Sequence, residues 1–377
     1  MDRLHGLILT PEGLRQGDLI WEGDRIKAML AHDKPTREGA NRLPLIVPGF
    51  IDLHVHGAAG HDFMDGDEAV SAIAAMHARH GTTAMLATTM TAPIEAIKKA
   101  LAAIAKRMSQ QSSTPMVEAK ILGVHLEGPY LSALKLGAQP PHAKVASLEE
   151  IMALHTIADL KVITIAPETD THLQLIVALR EAGFTVQLGH SGASYELCCE
   201  AFRCGAVGVT HLFNAMSGFH HRAPGMIGAA LAHAQFAEII PDLLHVHPGA
   251  VLAAYRAIPA LYAVTDATAA AGMPDGQYQL GEQQVFSCLG AVRLADGTLA
   301  GSALTMDQAF RNLIAIGLGI EQASAMLSAR PAQILGLQDR GRISEGCYAD
   351  LVVLEHDTLL VRQVVIGGQR LELDESV

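Results

Sequence analysis

The chain has 377 residues, 50% of them apolar, with a formal net charge of −12. That length allows one large domain beside a smaller one with a sizeable buried core, and the acidic balance argues against nucleic acid or an anionic membrane as partner, because both select a basic face. No apolar run is long enough for a membrane helix, Met1-Asp2-Arg3-Leu4-His5 does not open a signal peptide, and the cysteines (198, 199, 204, 288 and 347) are odd in number without a CxxC pair. A reduced, cytoplasmic protein is expected.

The chain opens with short β segments, Leu4 to Leu9, Gly17 to Trp21 and Arg25 to Met29, separated by turn residues. From about Val47 to Leu337 short apolar runs alternate with helical patterns. Strand patterns cover 46–54, 82–88, 119–127, 160–166, 185–190, 207–212, 239–242 and 261–266, with helices over 69–80 and 94–108 and a polar, exposed loop over 110–115. The end of the chain is β-rich again, at 349–354 and 361–366. Strands alternating with helices make a parallel sheet. Eight such units predict an α/β fold, a closed (β/α)8 barrel over 48–337, with a small β-sandwich domain built from 1–47 and 338–377.

Several polar residues close these apolar runs: His54 and His56 on the first, Glu127 on the third, His190 on the fifth, His211 on the sixth and Asp266 on the eighth. In a barrel these ends converge on one mouth. His54-Val55-His56 puts two imidazoles on one face of a strand. A glutamate ending an apolar strand is costly to bury without a cation. Each residue alone also has an ordinary structural explanation: a core histidine pair, a salt-bridged glutamate, a helix-capping aspartate. Their common position favours a metal centre. Imidazole and carboxylate without thiolate suit a divalent ion, zinc first, with iron, manganese or cobalt as alternatives. Glu127, His190 and His211 make a three-ligand site with an open position. His54, His56 and Asp266 can hold a second ion with Glu127 bridging, or Asp266 can serve as general base, so one or two ions are expected.

The run Val47-Pro48-Gly49-Phe50-Ile51-Asp52-Leu53-His54-Val55-His56-Gly57 resembles the opening motif of the amidohydrolase superfamily. Leu126-Glu127-Gly128-Pro129-Tyr130, Leu188-Gly189-His190-Ser191, Thr210 to Met216, Val264 to Ala267 and Leu299 to Met306 are similar to its N-acetylglucosamine-6-phosphate deacetylase branch. The resemblance implies a metal held by Glu127, His190 and His211, with His54 and His56 for a second ion, and Asp266 as the proton-transferring base and acid. It implies substrate contacts from Ala138, Gln139, Asn214, Ala215, Leu299, Ala300 and Gly301, and a phosphate site made by Arg222 and His245. It also implies a homodimer in which Arg222 reaches across the interface. The substrate would be an amino-sugar phosphate, N-acetyl-D-glucosamine 6-phosphate, with the galactosamine epimer as alternative. A different amidohydrolase, such as a cyclic-imide or dipeptide hydrolase, and a non-catalytic scaffold are weaker readings. Two departures stand out: Gln139 occupies a position where the branch often has histidine, and Leu243, in Pro241-Asp242-Leu243, stands where it usually has glycine. The second is expected to reshape the loop beside the phosphate.

Overall fold

The computed structural model describes residues 1–31, 43–114, 116–371 and 373. Its centre is a sheet of parallel strands in chain order: Phe50–Val55, Thr82–Thr89, Lys120–Glu127, Leu160–Ile165, Thr185–Leu188, Gly208–Val209, Phe236–Ile239 and Ala260–Ala263. The second of these is buried along its whole length, as a strand covered on both faces must be. The sheet closes through a seam between its first and last members. Asp266 N–H donates to His54 O at 2.9 Å and His56 N–H to Ala267 O at 2.9 Å. Closure brings His54, His56 and Asp266 side by side.

Helices alternate with the strands and cover the outside. Asp67–Arg79 carries acidic residues in its first turn and basic ones in its last, matching the helix dipole. Tyr195–Cys204 starts on Ser194, whose hydroxyl accepts from Leu197 N, and stops at Gly205 with φ 120°. The helix expected over 94–108 runs on to Ser113, so most of the expected polar loop at 110–115 is helical; its last residue, 115, lies outside the described residues. Gln111 explains the extension. Its side chain reaches the third barrel strand, donating to Ala119 O and accepting from Ile121 N–H. No helix among the described residues is long and apolar enough to cross a membrane.

The two ends of the chain share one sheet. Leu45–Pro48 pairs in parallel with Asp2–Thr10 and antiparallel with Leu351–Leu354, so it joins the N-terminal hairpin to the C-terminal strands. A separate apolar cluster around Ile8, Leu19, Trp21, Ile46, Leu351 and Val365 fills it. The pattern over 46–54 is therefore two strands. Val47 and Pro48 belong to this terminal sheet, and Phe50 begins the barrel. A further antiparallel sheet of four strands, Gly276–Leu280, Gln283–Cys288, Ala291–Arg293 and Leu299–Ser302, follows the last barrel strand. Its last strand returns to the mouth, where Ser302 N–H donates to Asp266 O at 2.8 Å.

Candidate metal centre

The C-terminal ends of the barrel strands open into a cavity of about 380 Å³, and His56, Glu127, His190, His211 and Asp266 all line it. His54 lies just beneath, fully buried. Three of these residues sit in left-handed backbone, His190 at φ 46°, His211 at φ 29° and Asp266 at φ 50°. Such conformations are costly for residues with a Cβ and concentrate at functional sites. Here they turn the side chains from the strand ends into the mouth.

The donor atoms converge. His190 Nε2 and His211 Nε2 are 3.0 Å apart and lie 3.2 and 3.0 Å from Glu127 Oε1. Ligands about 2.1 Å from a tetrahedral ion are separated by roughly 3.4 Å, so these atoms need only small shifts to surround one cation. The other carboxylate oxygen, Glu127 Oε2, lies 3.4 Å from His54 Nε2 and 3.1 Å from His56 Nε2. Those two nitrogens are each 3.3 Å from Asp266 Oδ1. Glu127 thus stands between two sets of donors, placed to bridge them.

The outer ring nitrogens set the tautomers. His190 Nδ1 lies 2.9 Å from Lys135 O and His54 Nδ1 lies 2.9 Å from Glu238 Oε2. Both partners only accept, so each Nδ1 carries hydrogen and each ring turns its Nε2 into the centre, where the nitrogen is a proton donor in the charged ring and a bare ligand once a cation takes the proton's place. Bare nitrogens facing carboxylates require positive charge between them. The field of the site says the same: burial lowers the His56 pKa, but Asp266 and Glu127 outweigh it and raise it to about 9. His54 is likewise held well above its ordinary value by Glu127, Asp266 and Glu238 against its burial. The donors therefore fit a divalent cation.

His54, His125 and Glu238 form a further cluster of close donors, but its chemistry differs. His125 Nδ1 lies 3.2 Å from Leu53 O and Nε2 lies 2.7 Å from Thr164 Oγ1. Both ring nitrogens are used, and the residue is a strut of the barrel interior.

The remaining expected residues separate into two groups. Ala138, Gln139, Asn214, Ala215, His245, Leu299 and Gly301 line the cavity with the metal residues. Ala300 is buried behind them in a small apolar cluster with Met90 and Leu280. Arg222 does not line this cavity; it is exposed, with Nη1 2.7 Å from His221 Nε2. His245 is fixed by Asp242, which accepts from its Nδ1 at 2.6 Å and its backbone N–H at 2.8 Å. Leu243 between them adopts φ 64°, so the chain keeps a glycine-like turn without glycine.

Glu238 is not among the residues expected from the sequence, because the strand expected over 239–242 runs instead from Phe236 to Ile239 and takes Glu238 inside it. It is fully buried, accepts from the His54 ring, and takes the backbone N–H of His211 at 3.1 Å and Tyr262 OH at 3.1 Å. The signal was present: a lone acid inside the apolar run Phe236-Ala237-Glu238-Ile239-Ile240, the same costly burial that marked Glu127. Lys135, Leu280 and Thr298 also line the cavity and came from loops or from the unread four-stranded sheet.

The amidohydrolase family profile matches residues 45–371 of the chain. The chain belongs to the amidohydrolase family. It is 39% identical over 343 residues to the N-acetylglucosamine-6-phosphate deacetylase of Lysinibacillus sphaericus, covering 89% of this chain and 87% of that one. It is 41% identical over 373 residues to the N-acetylgalactosamine-6-phosphate deacetylase of Escherichia coli O157:H7, covering 96% and 97%. A solved structure of the Mycobacterium smegmatis N-acetyl-D-glucosamine-6-phosphate deacetylase, an aspartate-to-alanine mutant in complex with N-acetyl-D-glucosamine 6-phosphate, superposes with a TM-score of 0.88 at 34% identity over 97% of both chains. Membership of this family makes the chain a metal-dependent hydrolase of amide bonds, and the cluster at the barrel mouth is the candidate place for that chemistry.

Proposed function

We propose that this amidohydrolase removes the acetyl group of N-acetyl-D-glucosamine 6-phosphate, yielding D-glucosamine 6-phosphate and acetate. The observation that carries the reading is the meeting of Glu127, His190, His211 and Asp266 in one cavity, in a chain whose similarity to curated deacetylases runs over most of its length. A divalent cation bound there, zinc by its donor set, supplies Lewis acidity to the amide carbonyl and makes water more acidic.

Asp266 is the base. Burial raises its pKa, but the charges of His54 and His56 and the His56 hydrogen bond outweigh this and hold it at about 2. It is therefore an ionised acceptor at neutral pH. It takes the proton of the attacking water and delivers it to the amide nitrogen as the C–N bond breaks. His245, presenting Nε2 once Nδ1 is tied to Asp242, together with Asn214 and Ala215, lies on the cavity wall where a phosphate can dock. Ala138, Leu299 and Gly301 enclose the sugar, with Ala300 packed behind and Gln139 lining the wall next to Glu127.

Arg222 supplies phosphate binding to a second copy of the chain in a homodimer; its exposure outside the cavity of its own chain supports this. The free state of all five cysteines supports a reducing cytoplasm. The donors admit one ion at Glu127, His190 and His211 and a second at His54, His56 and Asp266. The galactosamine epimer is the second reading, favoured by the 41% identity to the Escherichia coli enzyme.

The test is acetate release from both N-acetylhexosamine 6-phosphates, with the unphosphorylated sugars as controls. Turnover of the glucosamine form alone is expected. Turnover of the galactosamine form alone establishes the second reading, and equal use of the unphosphorylated sugars removes the phosphate site.

A further inference from the structure

Gln139 lines the cavity, yet its side chain is only 5% exposed and both ends of its amide are engaged. Thr91 N–H reaches Gln139 Oε1 at 2.7 Å. Gln139 Nε2 donates to Glu127 Oε2 at 2.6 Å. The orientation of the amide follows from its partners: a backbone N–H can only donate, so oxygen faces Thr91, and an ionised carboxylate can only accept, so nitrogen faces Glu127.

The consequence falls on Glu127. Its Oε1 serves His190 and His211, and its Oε2 faces His54 and His56. Rotation of the carboxylate would break both relationships. Gln139 grips Oε2 and is itself anchored to the backbone just past the second barrel strand. The same segment reaches the other side of the centre, where Lys135 O accepts from His190 Nδ1 at 2.9 Å and Ser132 N–H donates to His190 O at 3.0 Å. One loop thus holds two of the three donors of the Glu127, His190, His211 group.

We infer that Gln139 is a positioning residue for Glu127: its amide fixes the carboxylate so that each oxygen addresses a different pair of histidines, instead of gripping the substrate with its polar atoms. The inference rests on the proposed metal centre. Outer hydrogen-bond partners of metal ligands are worth about 10- to 100-fold in metal affinity.

The experiment measures zinc affinity of purified protein by competition with a chromophoric chelator, with no substrate present. It compares wild type, Gln139→Met, which keeps the volume without the amide, and Gln139→Asn, which keeps the amide without the reach. Apo-protein melting temperatures and far-ultraviolet circular dichroism establish that each variant is folded. Weaker zinc binding by about 10-fold or more in a folded variant is the expected result. In steady-state assays kcat should then fall at saturating zinc with KM within about 3-fold of wild type, a loss smaller than removing a first ligand would cause. Zinc affinity unchanged in both folded variants overturns the inference, and a raised KM alongside it returns Gln139 to substrate binding. Wild-type protein that binds no zinc overturns the metal centre itself, and the inference with it.

Discussion

Asp266 and Glu238 show how differently two buried acids act in one centre. Asp266 reaches the cavity and is held ionised by the imidazoles beside it. Asp266→Asn keeps the size but removes the proton acceptor. We expect zinc to remain bound through Glu127, His190 and His211, while acetate release falls by about 100- to 10,000-fold. Full turnover in that variant would remove the base assignment. Glu238 never reaches the cavity and works through the His54 ring and the His211 backbone. Glu238→Gln should leave the Glu127, His190, His211 site loaded and weaken a second ion by about 10-fold or more, read as metal per chain after dialysis against graded chelator. Equal metal content in the two proteins would mean His54 is oriented without its carboxylate. Of these two acids the sequence offered only Asp266, because an acid that closes an apolar run is conspicuous and one inside a misplaced strand is not.

At the level of elements, the turn at 241–245 carries a specific cost. Leu243 holds φ 64°, a conformation in which a Cβ is strained, and Asp242 compensates by accepting from Leu244 N–H and His245 N–H at 2.9 and 2.8 Å. Leu243→Gly should relieve that strain against the extra freedom glycine gives the unfolded chain, a net gain of about 0.5 kcal/mol seen as a small rise in melting temperature. A fall would show that packing of the leucine outweighs its strain. The helix Asp67–Arg79 contributes a second test. His77 is fully buried on it, with Nε2 3.2 Å from Gly57 O, and burial pushes its pKa down to about 4. In the unfolded chain it returns to roughly 6.5. Below that pH the unfolded state binds a proton that the folded state refuses, so stability falls as pH drops from about 6.5 to about 4, by up to about 3 kcal/mol. His77→Gln keeps a donor for Gly57 O and should flatten this part of the pH–stability curve; an unchanged slope would assign the acid sensitivity elsewhere.

For the whole molecule, the metal is a ligand of the folded state. The donors come from five barrel strand ends that the unfolded chain scatters over more than 200 residues, from His54 to Asp266. Cation at about a thousand times its dissociation constant stabilises the fold by about 4 kcal/mol. Chelation should therefore lower the melting temperature by several degrees, with recovery on adding zinc. A melting temperature indifferent to chelator would mean that the folded chain holds no ion in this cluster.

The alternation of strands and helices and the polar residues that end the strands were legible in the sequence, because both follow from local periodicity and from the cost of burying charge. So were the six candidate residues, His54, His56, Glu127, His190, His211 and Asp266, that the fold brings together. The family resemblance supplied roles that periodicity could not. The division of 46–54 was hidden, since a strand of the terminal sheet and a strand of the barrel are equally apolar when both are buried. The four-stranded sheet after the barrel was hidden by its polar, half-exposed composition. Only the tertiary structure decided which oxygen of Glu127 faces which histidines, that Gln139 is tied to Glu127 and Thr91, and that Arg222 is exposed and does not line the cavity of its own chain. Those facts depend on distances between segments far apart in the chain, and no local pattern of residues encodes them.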